Sequence, residues 1–347
     1  MDKIILKKIG KHKIYIPESH MLPVYLSQYP FYDRTLPRVC HFLKKIDKHL
    51  TVIDIGANIG DTVSLITEKT SGTFLCVEGD KKFLPILKKN IKKFKNNHIY
   101  IEESYCSNKN NTYNSFNIER KFGTAKITIS KSSDKNIAQE KTLDTILLKY
   151  PELQNSNLLK IDTDGFELNI LQGAKKTLAK IQPVLYFEFT PDAYINNKQD
   201  PYEIFRMLLK FGYKTALFYD NFGIPNKVVD ISNTKLISAL IDKIDNHKIY
   251  YYDILIYPTS KSYYHSIYQE ELISCIDFFN EKYILPDEYA SLKIQIVNLK
   301  KDLNFASSSL SWNFSNFTYL FAKKMIPAKI FDSKAYQKLQ SLLNKPH

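Results

Sequence analysis

Residues 51–61 read TVIDIGANIGD. The β-branched and aliphatic run predicts a buried strand, and Gly56 and Gly60 predict a turn in which the backbone can approach a ligand closely. Asp54, set at the end of so apolar a strand, is costly to bury without a partner and therefore points to a site. Dinucleotide folds use G-x-G-x-x-G, whose third glycine brings a helix N-terminus to a pyrophosphate. Here the pattern is D-x-G-x-N-x-G, with Asp61 directly after the second glycine. Acids on both sides of the turn suit a ligand bearing positive charge better than a pyrophosphate.

Outward from this turn, short β-rich runs alternate with helix-length amphipathic stretches, the pattern of a parallel sheet with crossover helices. The runs are TVIDI (51–55), TFLCV (73–77), HIYIE (98–102), NLLKID (157–162) and VLYFEF (184–189). YKTALFY (213–219) and YYDILIYP (251–258) form a late pair expected to make an antiparallel edge. GDTVSLITEK, the lysine-rich stretch after VEGD, and FELNILQGAKKTL (166–178) suit helices, the last placing Leu168, Leu171, Ala174 and Leu178 on one side. Strand-to-helix junctions then fall at the carboxyl ends of strands, where open α/β sheets bind ligands. Residues 103–145 read as an excursion over the sheet edge. Residues 1–48 suit an N-terminal cap, 49–259 the main domain, and 260–347 a helical C-terminal extension with a basic aromatic tail.

Glu78 ends the second strand, 24 residues after Asp54, where a carboxylate in such folds accepts hydrogen bonds from ribose hydroxyls. S-adenosylmethionine, a nucleoside carrying an amino acid and a sulfonium centre, satisfies both observations. The segment K-I-D-T-D-G-F-E (160–167) puts Asp162 and Asp164 at the mouth of the fourth strand, and Glu188 ends the fifth. Acids so gathered repel one another unless a proton, a lysine or a metal intervenes, and strand alternation puts Lys160 on the side of Asp162. Any of the three acids suits a general base, Asp162 or Asp164 before Glu188. Two of them holding Mg²⁺ is the alternative. Glu167 reads first as charge complementarity at a helix N-terminus, the DNFG turn (220–223) as turn chemistry, and His12, His41 and His49 as surface or structural residues, with His20 a candidate to face the site.

IDIGANIGDT, CVEGD, LLKIDTDGFELNILQGA, VLYFEF and YDNFG, in this order and spacing, resemble the successive motifs of FkbM-type S-adenosylmethionine-dependent methyltransferases, over roughly residues 20–258. The resemblance implies an α/β, Rossmann-like class I methyltransferase sheet of about seven strands, and transfer of a methyl group to an oxygen, often of a sugar or polyketide hydroxyl. Carried over by position, Asp54, Gly56, Asn58 and Gly60, followed by Asp61, surround the methionine part of the cofactor. Glu78 then takes the ribose, and Glu103, Ser104 and Tyr105 the adenine. Many members have Glu where Asp164 stands.

The composition, 44% hydrophobic and 24% charged with a net charge of +13, is that of a globular chain. Seven lysines between Lys81 and Lys95 accompany an apolar stripe at helical spacing and read as a solvated face, not as a nucleic-acid site. Cys40, Cys76, Cys106 and Cys275 form no C-x-x-C pair and suit reduced thiols of a cytoplasmic protein. No apolar run suits a signal peptide or a membrane span. The tail, weakly similar to the ends of polysaccharide-locus enzymes, suits peripheral contact with an anionic membrane, packing on the main domain, or a second subunit of a homo-oligomer. The expected function is O-methylation of a sugar, sugar-nucleotide or surface-glycan precursor; the rivals are a nicotinamide-dependent oxidoreductase and a non-catalytic binding protein with the same fold.

Overall fold

In the computed structural model, which describes residues 2–113, 117–121, 124–128, 138–246 and 249–283, the chain opens with an antiparallel hairpin of β1 (Ile4–Ile9) and β2 (His12–Pro17). Alternation turns Ile9, Ile14 and Ile16 inward, where they are buried. Two helices follow, α1 (Leu22–Gln28) and α2 (Thr35–Asp47). The glycine-turn strand β3 (Thr51–Ile55) then leads through α3 (Asp61–Ile66), β4 (Thr73–Val77) and α4 (Leu84–Ile91) to β5 (His98–Glu102). The excursion comprises β6 (Tyr105–Cys106), β7 (Asn111–Tyr113), a separate hairpin of β8 (Asn117–Lys121) and β9 (Thr124–Thr128), and β10 (Ala138–Lys141), which pairs with β6 and β7. After α5 (Leu143–Ile146) the chain re-enters the sheet as β11 (Leu158–Ile161). It continues through α6 (Glu167–Gln172), β12 (Val184–Phe189), α7 (Pro191–Asn196), α8 (Glu203–Lys210), β13 (Tyr213–Asp220), β14 (Pro225–Asp230), α9 (Thr234–Asn246), β15 (Tyr252–Pro258) and α10 (Ser266–Tyr283).

The central sheet has eight strands in the order β14-β13-β15-β12-β11-β3-β4-β5. From β5 to β12 neighbours run parallel; β15 is antiparallel to both β12 and β13. This is the Rossmann-like class I methyltransferase arrangement. The eighth strand, β14, is the one that periodicity does not show: it is an edge strand that starts at a proline, carries Lys227 and buries only Pro225 and Val229.

Both faces of the sheet are covered, so its strands are continuously apolar. Ile53, Ile55, Leu159, Ile161, Leu185 and Phe187 pack under α5, α6, α8 and α9, whereas Val52, Leu158, Val184 and Leu217 pack under the hairpin, α2, α3 and α4. The helix expected over 166–178 is interrupted after Gln172, at Gly173, where a Cβ would stand 2.0 Å from the Ser107 carbonyl oxygen. Leu168, Leu171, Ala174 and Leu178 are nevertheless all buried.

The start of α10 is built into the sheet's core. Tyr268 donates to the carbonyls of Thr215 and Leu255 at 2.6 and 3.0 Å. Glu271 accepts from Arg38 Nε at 2.9 Å and Nη2 at 2.7 Å and from the Tyr219 hydroxyl at 3.2 Å. All four cysteines are free thiols, three of them buried. Among the described residues no helix is long and apolar enough to cross a membrane. The second C-terminal helix expected at EYASLKIQIVNLKKDLN and the basic aromatic tail lie outside the described residues.

Candidate active site

The carboxyl ends of the parallel strands open into a cavity of about 1270 Å³. That exceeds the roughly 300–1,000 Å³ of a site for one small ligand and leaves room for two reactants. Two of its walls are the glycine turn with the ends of β4 and β5, and the ends of β11, β12 and β15.

The turn is held by the acid of the neighbouring strand. Glu78 accepts the backbone N–H of Asn58 at 2.8 Å and of Asp80 at 2.6 Å, and Asn58 reaches it through a left-handed backbone, φ 47°. Burial lifts Glu78 to about 7, with the N–H groups of Asp80 and Asn58 pulling it back. Gly56, φ 76°, is needed because a Cβ would stand 1.9 Å from the Asp162 carbonyl oxygen, so the ends of β3 and β11 meet only without a side chain. Gly56, Asn58, Asp61, Glu78, Ser104 and Tyr105 all line the cavity, the Tyr105 ring lying against Gly79.

Lys160 is the hub of the second wall. Parallel pairing puts it beside Asp54. Its Nζ sits 3.0 Å from Asp54 Oδ1 and 3.4 Å from Asp162 Oδ2 and donates to the Gly56 carbonyl at 3.0 Å. Burial opposes the ammonium charge, but Asp54 and Asp162 more than offset it and hold the pKa above that of an ordinary lysine. Burial raises Asp54 to about 6, against the pull of Lys160. A lysine is thus what intervenes among these acids.

Asp162 projects into the cavity with 53% of its side chain exposed. Asp164, at a left-handed φ of 54°, also lines it. The turn that carries both is tied down by Glu167, wholly buried, which accepts from the N–H groups of Thr163 at 3.0 Å and Gly165 at 3.2 Å and from the Thr163 hydroxyl at 2.9 Å. Glu188 accepts from the Thr190 hydroxyl at 2.8 Å and stands directly across the β12–β15 pairing from Asp253. Burial, then Asp162, pushes Glu188 well above the carboxyl range; burial, then Asp162 and Asp33, does the same to Asp253.

Asp33, Asp80, Glu140 and Asp253 are the lining acids that sequence reasoning missed. Asp33 sits between α1 and α2 with a left-handed φ of 53°. It is open to the cavity's solvent yet deep among protein atoms, and desolvation, with Asp61 and Asp162, raises it to about 7. His20, Tyr25, Tyr29 and Tyr32 of the same N-terminal segment line the cavity too. Tyr29 packs on Phe222 with ring centroids 4.4 Å apart, and Gly223 lets that turn approach the Phe31 carbonyl. Asp220 spends its carboxylate on the N–H groups of Phe222 and Ile224, at 3.0 and 2.9 Å, which is turn chemistry, while Asn221 and Phe222 face the cavity.

Three expected cofactor contacts do not reach the cavity. Asp54 lies behind Lys160, fully buried. Gly60, φ 83°, turns the chain into α3, and its open side faces Leu87 and Phe94. Glu103 points outward, 2.7 Å from Lys88 Nζ, with half its side chain exposed. The Mg²⁺ arrangement finds no support either: among the described residues no group of three or more His, Cys, Asp or Glu could hold a metal ion.

Residues 54–215 match the family model of the methyltransferase FkbM domain. No curated protein matches the chain. Among solved structures, the chain is similar to methyltransferase FkbM from Methylobacillus flagellatus KT, at 16% identity and a TM-score of 0.34 over 48% of this chain and 39% of that one. It is also similar to precorrin-6y C5,15-methyltransferase from Geobacter metallireducens GS-15, at 12% identity and a TM-score of 0.30 over 61% and 81%. The plantazolicin methyltransferase in complex with SAH aligns at 11% identity and a TM-score of 0.35 over 69% and 89%. The chain therefore spans about two fifths of the FkbM protein it resembles, and the assignment rests on the family match. The matched residues hold the glycine turn, Glu78, the K-I-D-T-D-G-F-E segment and Glu188, and they form a methyltransferase FkbM domain of the S-adenosylmethionine-dependent kind.

Proposed function

We propose that this protein is an O-methyltransferase of the cytoplasm that methylates a hydroxyl of a sugar or glycan precursor in polysaccharide biosynthesis. The observation that carries this reading is the charge of the cavity: among the described residues, nine acids and one lysine line it. A sulfonium fits such a lining, whereas the pyrophosphate of a nicotinamide dinucleotide would meet only Lys160, already engaged by Asp54 and Asp162. A sugar nucleotide would have to keep its diphosphate outside this rim.

Gly56, Asn58 and Asp61 would hold the methionine end of the cofactor, Glu78 the ribose, and Ser104 and Tyr105 the adenine. Asp54 and Gly60 support that wall from behind. When bound, the cofactor supplies a methyl group already activated on sulfur. The chain's own task is to align the acceptor and remove its hydroxyl proton as the new bond forms. We assign that proton to Asp162, which reaches into the cavity beside Lys160, with Asp164 flanking it. Glu188, on the same rim, orients the acceptor by hydrogen bonding.

Calorimetry tests the cofactor side: S-adenosylhomocysteine is expected to bind and NAD to give no heat, and the reverse would end the reading. Mass spectrometry of glycans from cells with and without the gene tests the acceptor side, where the expected result is the loss of one methyl group.

A further inference from the structure

The outer face of the β1–β2 hairpin has no role in the reaction above. Register places Ile4, Leu6 and Lys8 on that face, opposite Pro17, Tyr15 and Lys13. Ile4 and Leu6 are 42% and 47% exposed, unusual for aliphatic residues in a strand whose other face is buried. The apolar strip is rimmed by lysines. Lys8 and Lys13 continue the face toward the turn, and from α4 Lys89 and Lys93 reach over the Tyr15 ring, 5.5 and 4.7 Å from its centroid.

The arrangement is built. Asn90 accepts the Tyr15 N–H at 2.7 Å and donates to the Tyr15 carbonyl at 2.8 Å, fixing the hairpin against α4. Between Lys3 and Pro17 the chain holds five lysines and no acid. The nearest acids in the chain, Asp2 and Glu18, lie at the hairpin's open end, where Asp2 is hydrogen-bonded to Ser19. Just past β2, His20 and Met21 line the cavity, so whatever the hairpin rests on lies close to the cavity's rim.

We infer that this face docks on an anionic lipid bilayer. Ile4, Leu6 and Tyr15 enter the headgroup boundary, while Lys8, Lys13, Lys89 and Lys93 meet the lipid phosphates. An apolar strip with a cationic rim has this use in interfacial proteins, and the two contributions add. A nucleic acid would use the lysines but leave Ile4 and Leu6 exposed to water.

Co-sedimentation of the full-length protein with vesicles tests this, comparing pure phosphatidylcholine with phosphatidylcholine containing about 30% phosphatidylglycerol. Binding to the anionic vesicles only is expected, falling about fivefold for each lysine neutralised in K8Q/K13Q and at least tenfold in I4D/L6D, with S-adenosylhomocysteine binding unchanged in both. These positions are exposed, and an unchanged melting temperature confirms that each variant folds. Anionic-vesicle binding that both variants retain overturns the inference, as does retention of single-stranded DNA or RNA without retention of vesicles.

Discussion

Among the described residues nine acids and one lysine line the cavity, while the face made by β1, β2 and α4 shows lysines around an aliphatic strip, within one chain of net charge +13. Among the described residues exposed lysines mark this outer face, and the site has the opposite sign. Lysines on an exposed face cost little because water solvates them. Carboxylates gathered at strand ends raise one another's pKa and need a counter-charge, which Lys160 supplies and which a cationic cofactor can supply again. The difference predicts where substitutions hurt: large effects where charge is buried, small ones where it is solvated.

The largest effect is expected at Lys160. In Lys160→Met the buried Asp54 loses its partner, and breaking a buried pair in this way typically costs about 3–5 kcal/mol. Urea denaturation should show a loss of that size together with loss of S-adenosylhomocysteine binding. A variant as stable as the parent would show that Asp54 is protonated and that Lys160 is not the hub.

Asp162→Asn should come next. Its side chain is open to the cavity, so stability and cofactor affinity should hold while turnover falls about 100-fold or more, the scale of a lost general base. Loss of cofactor affinity with turnover preserved at saturation would move Asp162 to the cofactor side of the cavity.

A smaller effect separates the two walls by pH. Glu78 is raised from its ordinary carboxyl value to about 7, so the folded protein holds this proton more tightly than the unfolded chain. Its contribution to stability is complete below the unfolded pKa and is lost as pH rises through the folded one. Between about pH 4.5 and 7 stability should therefore fall, and Glu78→Gln should reduce that total fall by roughly 1–3 kcal/mol. An unchanged slope would place the burden on Asp54 or Asp33.

Which of these residues the sequence exposes follows from how local their signal is. Asp54, Gly56 and Glu78 sit at strand ends within short motifs, and Lys160 shares a strand face with Asp162, so the turn and its counter-charge are legible one strand at a time. Asp253 becomes a site residue only through the β12–β15 register that sets it opposite Glu188, a pairing between strands far apart in the chain. Asp33 lies in an irregular connection with no periodicity to read. β14 is hidden for a related reason: an edge strand buries too little to show an alternating pattern.

Glu103 shows the limit of reading position as direction. Glu102 and Glu103 are adjacent, but Glu102 turns inward to Lys141 at 2.6 Å and Lys149 at 3.1 Å, and Glu103 turns outward to Lys88 at 2.7 Å. Alternation sends these neighbours to opposite sides, and the cation that meets Glu103 belongs to the solvated face of α4. An exposed pair of this kind is worth about 0.2–1 kcal/mol. Glu103→Ala should therefore change stability by less than about 1 kcal/mol and leave S-adenosylhomocysteine affinity where it was, whereas Ser104→Ala and Tyr105→Ala, both at the cavity, should weaken it. A tenfold loss of affinity in Glu103→Ala would mean that the ion pair with Lys88 opens when the cofactor binds and that Glu103 swings inward to meet it.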